Sequence, residues 1–196
     1  MTLPSLRLKS NSDRRIKAGH LWVFSNEVDT AQTPLTAFEP GQEAQLESAS
    51  GKPLGLVCMS PTNLICARMH SRDVGHGLDK SLLVHRVQVA LSLREKLFDK
   101  PFYRLVYGDA DLLPGLVVDR FGDYLVVQIA TPGMERVREA IVEALVQVLK
   151  PAGVLFKNDS GARKAEDLPS YVEAAFGEVP ERVALEENGV RFEAPV

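Results

Sequence analysis

The hydrophobic pattern of this 196-residue chain changes period once, and that change limits the folds open to it. From Leu3 to about His70 the apolar residues come in short runs: LPSLRLK, HLWVFS, EAQLES, PLGLVCM and NLICARM. Pro40-Gly41, Ser50-Gly51 and Pro61-Thr62-Asn63 fall between them. Short apolar runs bounded by turn-forming residues read as strands, so this part predicts a small β-barrel or sandwich. One polar stretch, SNSDRRIKAGH, predicts a single helix with Ser10 or Ser12 at its N-cap. The segment SRDVGHGLDK, residues 71–80, reads as a linker.

Beyond the linker the spacing becomes helical. Leu83, Val84, Val87, Ala90, Leu91, Leu97 and Phe98 fall on one face of a helix predicted over 80–98. Three strands follow, YRLVY, GLVVDR and YLVVQIA, the last two joined by the tight turn Phe121-Gly122-Asp123. Thr131 as N-cap and Pro132 at the first helical position open a second helix. Val137, Ala140, Ile141, Ala144, Leu145 and Val148 give its apolar face, and Lys150-Pro151 closes it. GVLFKN reads as a strand, SGARKAEDL as a loop or short helix, and VALEE with VRFEA as a hairpin around Asn188-Gly189. The fold class is therefore α+β, in two small domains: a β-rich one over 1–72 and an α+β one over 76–196. The last residues, VRFEAPV, are strand-like, as expected of a chain cut before a further domain.

No apolar run reaches the roughly 18 residues of a membrane span, and MTLPSLRLKSNSDRR lacks the apolar core of a signal peptide, so a cytoplasmic location is expected. The net charge of −3 argues against a nucleic-acid binder only if it is evenly spread, and it is not. Residues 1–72 carry eight Lys/Arg against six Asp/Glu, and in the first twenty residues Arg7, Lys9, Arg14, Arg15 and Lys17 face only Asp13. A local basic patch is compatible with the acidic average. Trp22 follows that cluster, where it could stack on an unpaired base or anchor a small barrel; the second role is the one expected.

Cys58 and Cys66 lie in apolar runs far from any CxxC spacing, so buried structural thiols are expected. His20, His70, His76 and His85 do not fall at metal-ligand spacing, and His70 and His76 are placed on the linker as solvated side chains. The stretch GDADLLPGLVVDRFGD brings together Asp109, Asp111, Asp119 and Asp123, which would admit a metal or hydrolytic site on Asp109, Asp111 and Asp119. Turn chemistry beside the glycines and Pro114 accounts for Asp109, Asp111 and Asp123. Asp119 is expected to pair with its neighbour Arg120, and Asp159 with Arg163. There is no GxGxxG after a strand, no P-loop and no GxSxG, hence no nucleotide or S-adenosylmethionine loop and no nucleophile elbow.

RRIKAGHLWVFSNEV, GDADLLPGLVVDRFGDYLVVQ, FKNDSGARKAEDL and ALEENGVRFEAPV, in this order, resemble a known family: the PUA-containing class I S-adenosylmethionine-dependent methyltransferases of large-subunit rRNA, cytosine-5 type. The resemblance covers nearly the whole chain. It implies an N-terminal PUA-like pseudobarrel that binds RNA and a central α+β domain. The family's C-terminal Rossmann-like methyltransferase domain would follow Val196 and is absent here. It also implies chemistry in which a cysteine thiolate adds to the pyrimidine ring and activates carbon 5 toward the sulfonium methyl of S-adenosylmethionine.

The family's nucleophile and cofactor loop lie in the absent domain, so neither Cys58 nor Cys66 takes that role and this chain alone is expected to be inactive. RNA contact is expected from Arg14, Arg15, Lys17 and His20, with ribosomal RNA as partner and neither metal nor membrane. A stand-alone RNA-binding or ribosome-assembly adaptor is the other reading. An apolar surface is also expected on the second domain, through which the chain would pair as a homodimer.

Overall fold

The structure is a computed structural model that describes residues 3–187 and 189–196. It separates into two units, one comprising the chain through Asp79 together with Thr131–Val137, the other Lys80–Ala130 with Arg138–Val196.

In the first unit the five apolar runs become β1 (Ser5–Arg7), β2 (Trp22–Phe24), β3 (Glu43–Glu47), β4 (Pro53–Met59) and β5 (Ile65–Ser71). They form one sheet in the order β1-β3-β4-β5-β2, so the strands do not divide into the two sheets of a sandwich. Only β1 and β3 pair in parallel. Beyond the ends of β1 and β2, Lys9 N–H donates to Glu27 O at 2.8 Å and Asp29 N–H to Arg7 O at 2.9 Å. These bonds satisfy backbone groups that the edge strands would otherwise leave open. Leu6, Leu8, Val23, Val28, Leu46, Val57, Met59 and Met69 fill the core, each contributing about 1.5–3 kcal/mol by leaving water.

The helix expected from the polar stretch is one turn, α1 (Arg14–Lys17), and Asp13 rather than Ser10 or Ser12 stands at its N-cap. Gly19, with φ +111°, reverses the chain after it. Residues 72–79 are not a solvated linker throughout: the carboxylate of Glu43 on β3 accepts the N–H of Leu78 at 2.8 Å, and a side chain on Gly77 would crowd the same carboxylate.

The second unit begins with α2 (Lys80–Leu97), which buries Leu83, Val87 and Ala90. Leu97 and Phe98, expected on that face, are exposed instead. β6 (Phe102–Tyr107), β7 (Leu116–Phe121) and β8 (Tyr124–Ile129) follow as an antiparallel meander, and Phe121 faces Tyr124 across a two-residue turn where Gly122 takes φ +64°.

The long helix expected from Thr131 to Lys150 is two helices, α3 (Pro132–Arg136) and α4 (Arg138–Leu149), broken at Val137 (φ −109°, ψ 19°). Residues 131–137 pack with the first unit: a side chain on Gly133 would collide with Cys58 of β4, and Arg136 pairs with Glu39. Continuous helical spacing does not reveal that its two ends answer to different cores. Lys150, left-handed at φ 50°, and Pro151 end α4 as expected.

β9 (Gly153–Asn158) pairs in parallel with β8. A single turn, α5 (Gly161–Lys164), leads to β10 (Tyr171–Gly177), a strand the sequence did not announce, which pairs antiparallel with β9 and completes the sheet order β10-β9-β8-β7-β6. β11 (Arg182–Glu187) and β12 (Val190–Pro195) form a separate antiparallel hairpin beside β6 and β7. The Asn188-Gly189 turn proposed for it involves Asn188, which lies outside the described residues.

The KNDSGARK stretch has a structural task at the end of β8. Asn158 Oδ1 accepts the N–H of Ile129 at 2.7 Å and Arg163 Nη1 donates to its carbonyl at 2.6 Å, while Arg163 Nε donates to Pro169 O at 2.9 Å. Arg163 is thereby turned inward and buried. A guanidinium out of water is tolerated here because its Nε and Nη1 meet backbone carbonyls and its face lies 5.0 Å from the Tyr171 ring centre.

Candidate nucleic-acid interface

The first unit gathers its cations around α1. Ile16 is buried and plants the short helix on the core, which leaves its neighbours Arg14, Arg15 and Lys17 at the surface. Each has a defined local partner. Arg14 Nη2 donates to Asn11 Oδ1 at 3.4 Å. Arg15 Nη1 meets Glu27 Oε1 at 3.1 Å while its guanidinium lies 4.8 Å from the Phe24 ring centre. Glu27 is itself held, since its Oε2 accepts the Phe24 N–H at 2.9 Å. Lys17 pairs with Asp13, and its ammonium holds the Asp13 carboxyl below the usual range despite some opposing desolvation.

Sequence reasoning missed Arg72. Its Nη1 donates to Ile16 O at 2.9 Å and its Nη2 to His20 O at 3.5 Å, so a cation 52 residues along the chain from His20 caps the carbonyl end of α1. The Ile16 carbonyl also accepts the Gly19 N–H at 3.1 Å, so Arg72 takes its second lone pair. Lys9 Nζ likewise donates to a neutral oxygen, Asn26 O, at 2.9 Å. Among the described residues Lys9, Arg14 and Arg72 are thus bonded to neutral oxygens, not carboxylates. Arg7, by contrast, is spent on Glu47 at 2.6 Å.

His20 and Trp22 continue the same surface. His20 is exposed. Trp22 is 39% exposed, not a core anchor, and stands opposite Arg68 across the β2–β5 pair. The arrangement can hold phosphates: exposed ion pairs such as those of Arg15 and Lys17 are worth about 0–1 kcal/mol and exchange readily for a polyanion.

The other candidate groups are placed differently. His70, expected in solvent, is 3% exposed on β5, with Nε2 at 2.7 Å from Glu43 Oε1 and Nδ1 at 3.7 Å from Cys58 Sγ. His76 does lie in solvent, beside Asp73. Both cysteines are free thiols, and burial pushes each up to about 12.

The aspartates of the GDAD stretch do not make an acidic site. Asp111 is bound by both Nη atoms of Arg94, at 2.6 and 2.7 Å, and also accepts the Tyr107 N–H. Asp119 pairs with Arg104 across β6–β7 at 2.8 and 3.1 Å, not with Arg120. Consecutive strand residues point to opposite faces, so its partner had to come from the neighbouring strand. Among the described residues no group of three or more His, Cys, Asp or Glu comes together to hold a metal ion.

The turn after β8 offers no glycine cradle for S-adenosylmethionine. The turn after β8 that enters the parallel crossover runs through Thr131-Pro132-Gly133, and the space at Gly133 is filled by Cys58. A glycine that serves to approach a cysteine leaves no cradle for a ligand.

Residues 6–72 match the PUA-like domain family. Over 98% of its length the chain is 31% identical to ribosomal RNA large subunit methyltransferase I of Aliivibrio fischeri, and over 98% it is 30% identical to that of Vibrio cholerae. In each case it spans 49% of the relative. Its fold is also that of a putative SAM-dependent methyltransferase from Streptococcus mutans, with a TM-score of 0.79 at 21% identity, covering 99% of this chain and 49% of the other. Residues 6–72 are therefore similar to a PUA-like domain, and the chain is similar, over nearly all its length, to about half of these ribosomal RNA large subunit methyltransferases I.

Proposed function

We propose that this chain is the RNA-binding and positioning portion of a SAM-dependent methyltransferase that modifies carbon 5 of a cytosine in large-subunit rRNA, working in the cytoplasm. The observation that carries the reading is the homology itself, which begins with a PUA-like domain and runs on through the second unit to relatives named for large-subunit rRNA methylation. In this reading the five-stranded sheet is the pseudobarrel, and Arg14, Arg15, Lys17 and His20, ordered by Arg72, hold the RNA backbone. Such contacts position the substrate without reading its sequence.

The same reading makes this chain inactive in methyl transfer by itself. A nucleophilic cysteine needs a depressed pKa and an electropositive, accessible setting, and both thiols here are pushed the other way. Self-association belongs to the reading as well, through Val89, Leu93 and Leu97, which recur every four residues along the exposed side of α2. Incubating the chain with labelled S-adenosylmethionine and a 23S rRNA transcript tests it. Retention of the RNA without methyl incorporation is expected; incorporation by this chain would contradict the account.

A further inference from the structure

The second unit contains a groove of about 590 Å³, whose lining includes Leu97 from the exposed side of α2. Phe98, Tyr103, Phe121 and Phe192 line it, together with Lys100 and Arg120. Sites for small ligands are concave, mostly apolar and about 300–1,000 Å³, with a few polar groups that orient the occupant. This groove has that size, and its lining mixes aromatic rings with charged side chains.

Its aromatic rings are arranged in order. Phe98 and Tyr103 lie 5.3 Å apart between centres at 30°, and the Arg120 guanidinium is 5.8 Å from the Tyr103 ring. Phe98 and Phe192 are 48% and 44% exposed, so their apolar faces are in water. Exposed rings in sequence with a guanidinium make a surface on which planar bases stack.

The charges select among planar ligands. Lys100 is neutralised by Glu186, and Asp119 by Arg104. Arg120 donates Nη1 to Tyr103 Oη and Nε to Gly122 O, both at 3.0 Å, and among the described residues it has no carboxylate partner. Its Nη2 has no hydrogen-bond partner among the described residues and is the donor left for a ligand. Asp99 at the rim keeps the groove close to neutral, so stacking rather than counterion release would dominate binding.

We propose that this groove binds one unpaired nucleotide of an RNA, its base stacked on the Phe98–Tyr103 rings with Phe192 as the opposite wall and its phosphate on Arg120 Nη2. The proposal rests on the RNA reading above and adds to it a second contact, in the second unit, that engages single-stranded RNA with little salt dependence. Neither a lone anion nor a duplex has the exposed base face that the rings require.

The test uses the whole chain, labelled with nitrogen-15, titrated with an adenosine tetraribonucleotide and separately with inorganic phosphate. Amide shifts over 98–104 and 119–122 with the tetranucleotide, absent with phosphate, are expected. Phe98→Ala and Phe192→Ala should each weaken that binding about tenfold. Both side chains are half exposed, and retained dispersion of the spectrum shows that each variant folds. The double variant Arg14→Ala/Arg15→Ala should leave the groove shifts in place. Shifts confined to residues 9–24, or unchanged affinity in both phenylalanine variants, would overturn the groove and leave the RNA reading standing. No shift anywhere would remove both. Broadening of the groove amides with protein concentration alone, relieved by Phe192→Ala, would assign the groove to a second copy of the chain and overturn the proposal.

Discussion

Glu43 Oε1 lies 2.7 Å from His70 Nε2, inside the first unit, and accepts the Leu78 N–H at 2.8 Å as well. One carboxylate oxygen thus fixes a buried imidazole on β5 and the far end of the segment that follows β5. The His70 hydrogen bond, and then the Leu78 N–H, hold the Glu43 carboxyl below its ordinary value of 4.5, against desolvation.

A folded-state pKa below the unfolded one means stability that is present above the unfolded value and lost as pH falls through the folded one. The chain should therefore lose stability as pH drops below about 4.5, where the unfolded Glu43 begins to bind a proton first. Glu43→Gln should be less stable than the natural chain at neutral pH and should flatten this acid limb. Urea unfolding at a series of pH values measures both. Parallel acid limbs in the two proteins would show that the contact carries no such linkage.

Asp111 and Arg94 meet through two short bonds in a nearly dry setting. Removing one partner leaves a buried charge, so Asp111→Asn should cost about 3–5 kcal/mol in chemical denaturation. Arg94→Met combined with Asp111→Leu should cost less than either single change. RNA retention should not follow the loss until the protein unfolds. A metal-dependent role for this aspartate would instead show as magnesium-dependent stability.

How much of this was legible in the sequence depends on how far each residue's partner lies along the chain. The five strands of the first unit, α2 and the β7–β8 hairpin were legible because alternation, helical spacing and turn residues are local signals. His70 was misplaced because the residue that makes its burial tolerable, Glu43, is 27 positions away. β10 was missed because YVEAAFG lies at the sheet's edge, mostly exposed, and lacks clean alternation. The candidate interface was half legible. Arg14, Arg15 and Lys17 announce themselves as a run, whereas Arg72 caps α1 from the far end of the domain.

The two cysteines offer a check on the proposal that this chain supplies no nucleophile. With both thiols pushed up to about 12 by burial, iodoacetamide at mild alkaline pH should modify neither at an appreciable rate in the folded chain, and both rapidly in denaturant. Rapid modification of Cys58 in the native state would mean that the 131–137 segment does not cover it.

In the proposed function the basic cluster around α1 holds the RNA backbone, and a salt titration tests this most directly. Binding of a 23S rRNA fragment should weaken steeply with salt, and Arg14→Ala/Arg15→Ala should reduce both the affinity and the slope of log K against log salt, the slope by about one to two. Equal affinities and parallel slopes for the natural chain and the double variant would contradict the account and remove α1 from the RNA interface.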